Sequence, residues 1–135
     1  PLIGAMVTIG DGRPYNTALM VFDAESVAPH AAALGLQEAT PAALAADPTV
    51  IARIAAGVAE GNTKLSRVEQ IKRFQVLPTL WEPGGDEVTL TMKLKRQPIA
   101  AKYAEEIEEL YAAEPSPRVH EPSTTGAAPS TVAVG

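Results

Sequence analysis

The residues most able to do chemistry stand in one short segment, DEVTLTMKLKRQPIA, residues 86–100. They are two threonines and three cations: Thr89, Thr91, Lys93, Lys95 and Arg96. Period-two alternation places the threonines and both lysines on one face of a predicted strand. Hydroxyl and ammonium groups on a common face suit an anionic ligand such as a phosphate or a carboxylate. The same pattern also fits a solvated edge hairpin, in which lysine prevents edge-to-edge aggregation.

No other segment carries a complete set of catalytic or metal-binding residues. GDGR, residues 10–13, resembles half of a nucleotide loop, but it leads into a predicted strand and lacks both glycine-rich phosphate-binding patterns. His30 and His120 are far apart and have no third ligand nearby, so no metal site and no Ser–His–Asp triad is predicted. The acidic run at 105–109 is interpreted as a solvated helix face.

The composition limits the classes of protein that are possible. A length of 135 residues is enough for one domain, and 46% hydrophobic residues can form its core. The net charge of −5 argues against nucleic acid as a partner. The chain has no cysteine, which excludes a thiolate nucleophile and fits a reducing cytoplasm. It also has no apolar run long enough for a transmembrane segment.

The elements that must position these residues are predicted from periodicity and capping signals. Apolar runs at 2–9 and 17–22 predict an antiparallel hairpin, well covered by other elements. A helix over about 24–34 is predicted between Asp23 and Gly35. A second, short helix is predicted after the Thr40-Pro41 pair.

The second half of the chain is predicted to hold two further helices and a hairpin. Asp47-Pro48 is predicted to begin a long helix that ends near residue 74, bent near its glycines. Extended arms flank a turn at 83–86, and a helix follows over 98–112. The fold class is α+β, a small antiparallel sheet plus a β-hairpin with helices packed on it. Residues 114–135 are predicted to be a disordered tail.

Two stretches resemble a known family. Residues 62–112 contain R-V-E-Q-I-K-R-F and then E-x-T-x-T-x-K-L-K-R, and the opening reads IGDGRPYNTALMVFD. These motifs are similar to the C-terminal end of long-chain fatty-acyl-CoA synthetases of the adenylate-forming (AMP-dependent) synthetase and ligase superfamily, of the actinobacterial type. The resemblance covers residues 2–112 in order.

The resemblance implies a C-terminal lid over residues 1–113, without its hinge segment, which works beside an N-terminal adenylation domain of the same polypeptide. It implies ATP with Mg, bound mainly by that other domain, and coenzyme A and a fatty acid as co-substrates. Lys93 matches the catalytic lysine of the family. Thr91, Lys95 and Arg96 are the further candidates for substrate or nucleotide binding, although Lys95 and Arg96 also suit anchors of the strand-to-helix corner. The implied location is the cytoplasm, free or peripheral to the inner face of the membrane.

This sequence departs from the family pattern at two positions near the lysine. Leu90 stands where proline is common, and Gln97 stands where lysine or arginine is common. The phosphate loop and the adenine-binding segments of the family are absent from these 135 residues. The isolated chain is therefore expected to be inactive. The alternative is a non-catalytic remnant or interaction module that has kept the lid fold.

Overall fold

The computed structural model describes residues 2–122, which form a three-stranded sheet with helices on both faces. The predicted α+β class is confirmed, but the sheet is mixed rather than antiparallel. The strands are β1 (Ile3–Ile9), β2 (Asn16–Phe22) and β3 (Ile71–Val76), in the order β1-β2-β3. Strand β1 pairs antiparallel to β2, as predicted, and β3 pairs parallel to β2.

Five α-helices accompany the sheet in the described part of the chain: α1 (Val27–Leu34), α2 (Pro41–Ala45), α3 (Pro48–Asn62), α4 (Arg96–Lys102) and α5 (Ala104–Leu110). Two single 3₁₀ turns lie at Ala24–Ser26 and Arg67–Glu69. The predicted caps at Thr40, Asp47 and Gly35 are confirmed, whereas the Asp23 carboxylate makes no side-chain cap and accepts from the Ser26 hydroxyl at 3.0 Å. The Thr40 hydroxyl accepts from the Ala43 amide at 3.1 Å, and Asp47 accepts from Val50 at 3.0 Å.

The central strand β2 explains why its sequence is almost continuously apolar. Its even-numbered residues from Ala18 to Phe22 pack into one core cluster with α1, α2 and α3. Leu19 and Val21 face the other way, into a second cluster with α4 and α5. Strand β1 lies at the sheet edge and is only partly covered, so the expectation of full coverage holds for β2 but not for β1.

The long helix predicted over 48–74 is wrong beyond Asn62. The Asn62 side chain donates to the carbonyl oxygen of Ile71 and accepts from its amide, both at 2.9 Å, and so joins the end of α3 to the start of β3. Between them, Ser66 and Glu69 form a capping box around the 3₁₀ turn. The parallel pairing with β2 supplies hydrogen-bond partners to the backbone of 71–76, and Phe74 is completely buried. The pairing of β3 with β2 therefore determines the structure of this segment, although Ile71 continues the helical spacing of the apolar residues before it.

The strand predicted over residues 86–96 does not form either. Val88 makes two isolated bridges, to Pro83 and to Leu94, and a turn lies between Val88 and Leu94. The helix predicted over 98–112 is confirmed as α4 and α5, which meet at Tyr103. The apolar residues of these helices that are buried are Ile99, Tyr103, Ile107 and Leu110.

The first part of the predicted disordered tail is packed onto the sheet. The backbone N–H and C=O groups of Phe74 and His120 exchange two hydrogen bonds of 2.8 Å, which adds a short bridge to the outer edge of β3. Val119 is buried against the second core cluster. The packed chain therefore extends past the predicted boundary at residue 113. Residues 123–135 lie outside the described part of the chain.

Burial of His120 predicts a pH dependence of stability. Burial lowers the pKa of His120 below its ordinary value, so the unfolded chain binds the proton more readily than the folded chain. Its contribution to stability is then present above about pH 6.5 and is lost as the pH falls below that value. We expect urea unfolding at pH 7.5 and pH 5 to show a smaller drop for His120→Gln than for the wild type. Equal drops would contradict this role.

Candidate functional site

Lys93 lies at the end of a tight turn that replaces the predicted strand. The Thr89 amide donates to the Lys93 carbonyl, and the Met92 amide donates to the Thr89 carbonyl, both at 2.9 Å. Met92 has a φ of 66°, a left-handed conformation in which turns usually place glycine. Holding a side-chain-bearing residue there costs about 1–2 kcal/mol. The turn is therefore strained at the residue immediately before Lys93.

The two threonine hydroxyls fix this turn. The Lys93 amide donates to Thr89 Oγ1 at 3.0 Å, and the hydroxyls of Thr89 and Thr91 lie 3.1 Å apart. The structure thus brings Thr89, Thr91 and Lys93 together, but through the turn and not along a strand face. Within the described residues the Lys93 ammonium makes no hydrogen bond or ion pair, and its side chain is exposed.

Lys95 and Arg96 are engaged with backbone carbonyls. Lys95 Nζ donates to the Gly85 carbonyl at 2.9 Å, and the Lys95 amide donates to the Glu87 carbonyl at 2.8 Å. Arg96, the first residue of α4, donates to the Thr8 carbonyl at 3.2 Å. These contacts tie the start of α4 to the preceding turn and to β1, as expected for anchors of this corner. Their side chains therefore make protein contacts that the Lys93 side chain does not.

Apolar side chains stand beside the free cation. Leu90 is 81% exposed and Met92 is 49% exposed, although both are large hydrophobic residues. Leu90 lies over Gly84, where an added Cβ would approach its Cδ2 to 2.8 Å, so a larger residue at 84 would displace it. Exposed apolar groups around a cation favour contact with another surface over permanent solvation.

A buried polar network lies under the turn, and sequence reasoning missed it. The Glu87 carboxylate accepts from Lys102 Nζ at 2.7 Å and from the Tyr103 hydroxyl at 2.8 Å. The Trp81 indole donates to the Tyr103 oxygen at 3.0 Å. Burial and then the Glu87 hydrogen bond raise the pKa of Tyr103, which keeps the phenol protonated as a donor. The sequence offers no local signal for this network, because Lys102 and Tyr103 follow Glu87 only 15 and 16 residues later.

The GDGR segment serves packing. The Arg13 amide donates to the Gly10 carbonyl at 3.0 Å, which confirms the turn interpretation. The Arg13 guanidinium donates to Glu108 at 2.6 Å and lies 4.7 Å above the Tyr111 ring. This ion pair holds the pKa of Glu108 below its usual range. Arg13 and Arg96 line a cleft of about 400 Å³ between the hairpin loop and α4, but both already have protein partners.

The sequence of the whole chain was compared with families of known proteins. A model described as the AMP-binding enzyme C-terminal domain matches residues 1–115. The chain belongs to this family. The three-stranded sheet with helices on both faces is thus an AMP-binding enzyme C-terminal domain, and the resemblance stated from the motifs is confirmed.

Several curated proteins are similar to this domain. "Putative fatty-acid--CoA ligase fadD11" of Mycobacterium tuberculosis is 73% identical over 131 residues, which is 97% of this chain and 22% of that protein. Long-chain-fatty-acid--CoA ligase FadD15 of the same species is 36% identical over 118 residues, 82% of this chain and 19% of that protein. The chicken protein ACSBG2, named as a long-chain-fatty-acid--CoA ligase, is 39% identical over 80 residues, 58% of this chain and 10% of that protein. The chain therefore spans about a fifth of the length of the bacterial relatives.

No solved structure matches the chain in the same kind of comparison. The described residues include no cluster of three or more histidine or acidic side chains that could hold a metal ion. They also include no helix long and apolar enough to cross a membrane. For a nucleotide, the turn offers one exposed cation without a side-chain partner, Lys93, which fits contact with one phosphate but not enclosure of a whole ligand.

Proposed function

We propose that this AMP-binding enzyme C-terminal domain is the catalytic lid of a long-chain fatty-acid–CoA ligase, and that Lys93 is its catalytic residue. The observation that supports this most strongly is the unpaired Lys93 ammonium on a strained, apolar-flanked turn. A residue held in an unfavourable backbone conformation often marks a functional site. The names of the similar proteins supply the reaction class.

In the first half-reaction a carboxylate oxygen of the fatty acid attacks the α-phosphorus of ATP. The new bond joins that oxygen to phosphorus, and the bond to the leaving pyrophosphate breaks. Both reactants are anions, so a cation beside them offsets their repulsion and stabilises the charge of the transition state. Lys93 has the charge and the exposure for this task. ATP with its Mg²⁺ is bound mainly by the N-terminal adenylation domain in this proposal.

In the second half-reaction the thiol of coenzyme A attacks the acyl carbon, and AMP leaves. The lid turns between the two steps, so Lys93 is then away from the reacting atoms. Lys95 and Arg96, whose side chains hold the corner of the domain, have no direct part in either step. Thr91 acts through the turn, because its hydroxyl contacts the Thr89 hydroxyl that receives the Lys93 amide.

The isolated chain is expected to release no pyrophosphate from ATP and a fatty acid. The Lys93 turn presents one exposed cation to a phosphate, but the phosphate loop and the adenine-binding segments of the family are absent from these 135 residues. The assay is pyrophosphate release with and without the chain, followed through a further purification step. Release that stays with the chain would contradict the lid proposal.

A chimera tests the catalytic role against the alternative of an interaction module. The chain replaces the matching C-terminal segment of fadD11, to which it is 73% identical. If that fadD11 forms acyl-CoA, the lid proposal expects the chimera to do so as well and expects a Lys93→Ala chimera to fail. A folded chimera without activity, beside an active fadD11, would favour the module.

A further inference from the structure

Glu87 is a buried carboxylate immediately before the Lys93 turn. Its side chain is 7% exposed, whereas that of the neighbouring Asp86 is 78% exposed. Burying a carboxylate is costly unless charged and hydrogen-bonding partners compensate it. Both compensating donors, Lys102 Nζ and the Tyr103 hydroxyl, point at the same oxygen, Glu87 Oε2.

The backbone of Glu87 closes the base of the turn. Its carbonyl accepts the Lys95 amide at 2.8 Å, and the next residue, Val88, bridges to Leu94. The side chain of Glu87 is held by the end of α4, and its backbone holds the returning arm of the turn. One residue therefore connects both arms of the turn to the helix.

The exposed part of the turn has few other attachments. Residues 90–93 are exposed, and the hydrogen bonds of Thr89, Met92 and Lys93 stay within the turn itself. The internal hydrogen bonds preserve the shape of such a turn, whereas the contacts at its base determine the direction in which it projects from the domain. A change at Glu87 thus alters where Lys93 points more than whether the turn forms.

We propose that Glu87 is a positioning residue, which holds the Lys93 turn in the direction needed for adenylate formation through its contacts with Lys102, Tyr103 and Lys95. This proposal rests on the proposed function of Lys93. Glu87 itself touches no reacting atom. Its effect is expected on the rate of adenylate formation and not on thioester formation, because only the first step uses Lys93.

The experiment uses the ligase chimera and measures both half-reactions and the melting temperature. Glu87→Ala is expected to lower kcat for adenylate formation by about 10–10²-fold, since a misplacement of about 1 Å can have an effect of that size. Thioester formation from preformed acyl-adenylate is expected to stay within about twofold of the wild type. Glu87→Gln is expected to restore most of the rate, because one amide oxygen can accept both hydrogen bonds that now reach Oε2.

Two further variants keep the test decisive. Lys102→Met removes one donor at a half-exposed position and keeps the apolar stem, so it serves if Glu87→Ala does not fold; a several-fold loss of adenylate formation is expected. Asp86→Asn is the matched control, because this exposed carboxylate contacts only Lys102, at 3.3 Å. It is expected to leave both half-reactions unchanged.

The outcomes separate the two proposals. Loss of adenylate formation in Lys93→Ala but not in Glu87→Ala or Lys102→Met overturns the positioning role alone. No loss in Lys93→Ala overturns both proposals. Equal loss of both half-reactions in Glu87→Ala, with a lowered melting temperature and no rescue by Gln, assigns Glu87 to stability only and also overturns the positioning role.

Discussion

Replacing Lys93 by alanine in the ligase is expected to lower adenylate formation by about 10²–10³-fold, the usual effect of removing one preorganised group at a developing anion. The ammonium of Lys93 is exposed and unpaired within the described residues, so its loss leaves no protein group without a partner. The folded domain is therefore expected to keep its melting temperature. Thioester formation from preformed acyl-adenylate is expected to remain close to the wild-type rate.

Lys72→Ala is the matched control for this variant. Lys72 is also exposed and makes only one long hydrogen bond, of 3.4 Å, to Gln70. The Lys72→Ala variant removes the same charge as Lys93→Ala, but from β3 and away from the turn. It is expected to change neither half-reaction. Equal losses from the two variants would mean that the domain acts through its general charge. Loss of both half-reactions with a lowered melting temperature would make Lys93 structural.

Phe74→Ala is expected to destabilise the domain by about 3–5 kcal/mol, the usual range for an aromatic residue removed from a packed core. Phe74 is fully buried in the cluster between β3 and α3, and it also contacts the His120 ring at 5.4 Å between centroids. The variant leaves a cavity at the point where the sheet, the helices and residue 120 meet. Urea unfolding monitored by circular dichroism measures the change.

Val68→Ala distinguishes the observed fold from the long helix that the sequence predicted. The spacing of its apolar residues places Val68 on the apolar face of such a helix, but in the structure Val68 is 83% exposed. We therefore expect a change within about 0.5 kcal/mol, as for most surface substitutions. A loss above about 1.5 kcal/mol at Val68 would contradict the strand that begins at Ile71.

The parts of the fold that sequence could predict depend on chemistry between near neighbours. The caps at Thr40 and Asp47 are satisfied within three residues, and the left-handed end of α1 needs only Gly35. The hairpin of β1 and β2 follows from two apolar runs around a glycine-rich loop. Such signals can be recognised without the tertiary structure because the interacting residues are near neighbours in the chain.

The secondary-structure predictions were wrong where residues distant in the sequence determine the local structure. Ile71 continues the helical spacing of the apolar residues before it, and only the pairing with β2, more than fifty residues earlier, makes residues 71–76 a strand. Residues 88–94 alternate as a strand would, but they make only two isolated bridges, Pro83 with Val88 and Val88 with Leu94. The chain instead closes on the Thr89 hydroxyl and accepts a strained Met92.

The sequence predicted the residue types of the candidate site, but it did not predict how those residues are arranged. The three cations were recognised in sequence, and the motif singled out Lys93 among them. The contacts of Lys95 and Arg96 with backbone carbonyls could only be seen in three dimensions. Glu87 was missed because alternation alone cannot show that a carboxylate points inward to donors on a later helix.

Affinity labelling of the ligase chimera shows whether Lys93 approaches the nucleotide phosphates. An adenosine polyphosphate that carries an aldehyde at its phosphate end forms an imine with a nearby amine, and borohydride makes the bond permanent. Peptide mapping by mass spectrometry then identifies the modified lysine. The account predicts labelling of Lys93 that excess ATP prevents, with any labelling of Lys72 unaffected by ATP. ATP-sensitive labelling confined to another lysine, with Lys93 unmodified, would contradict it.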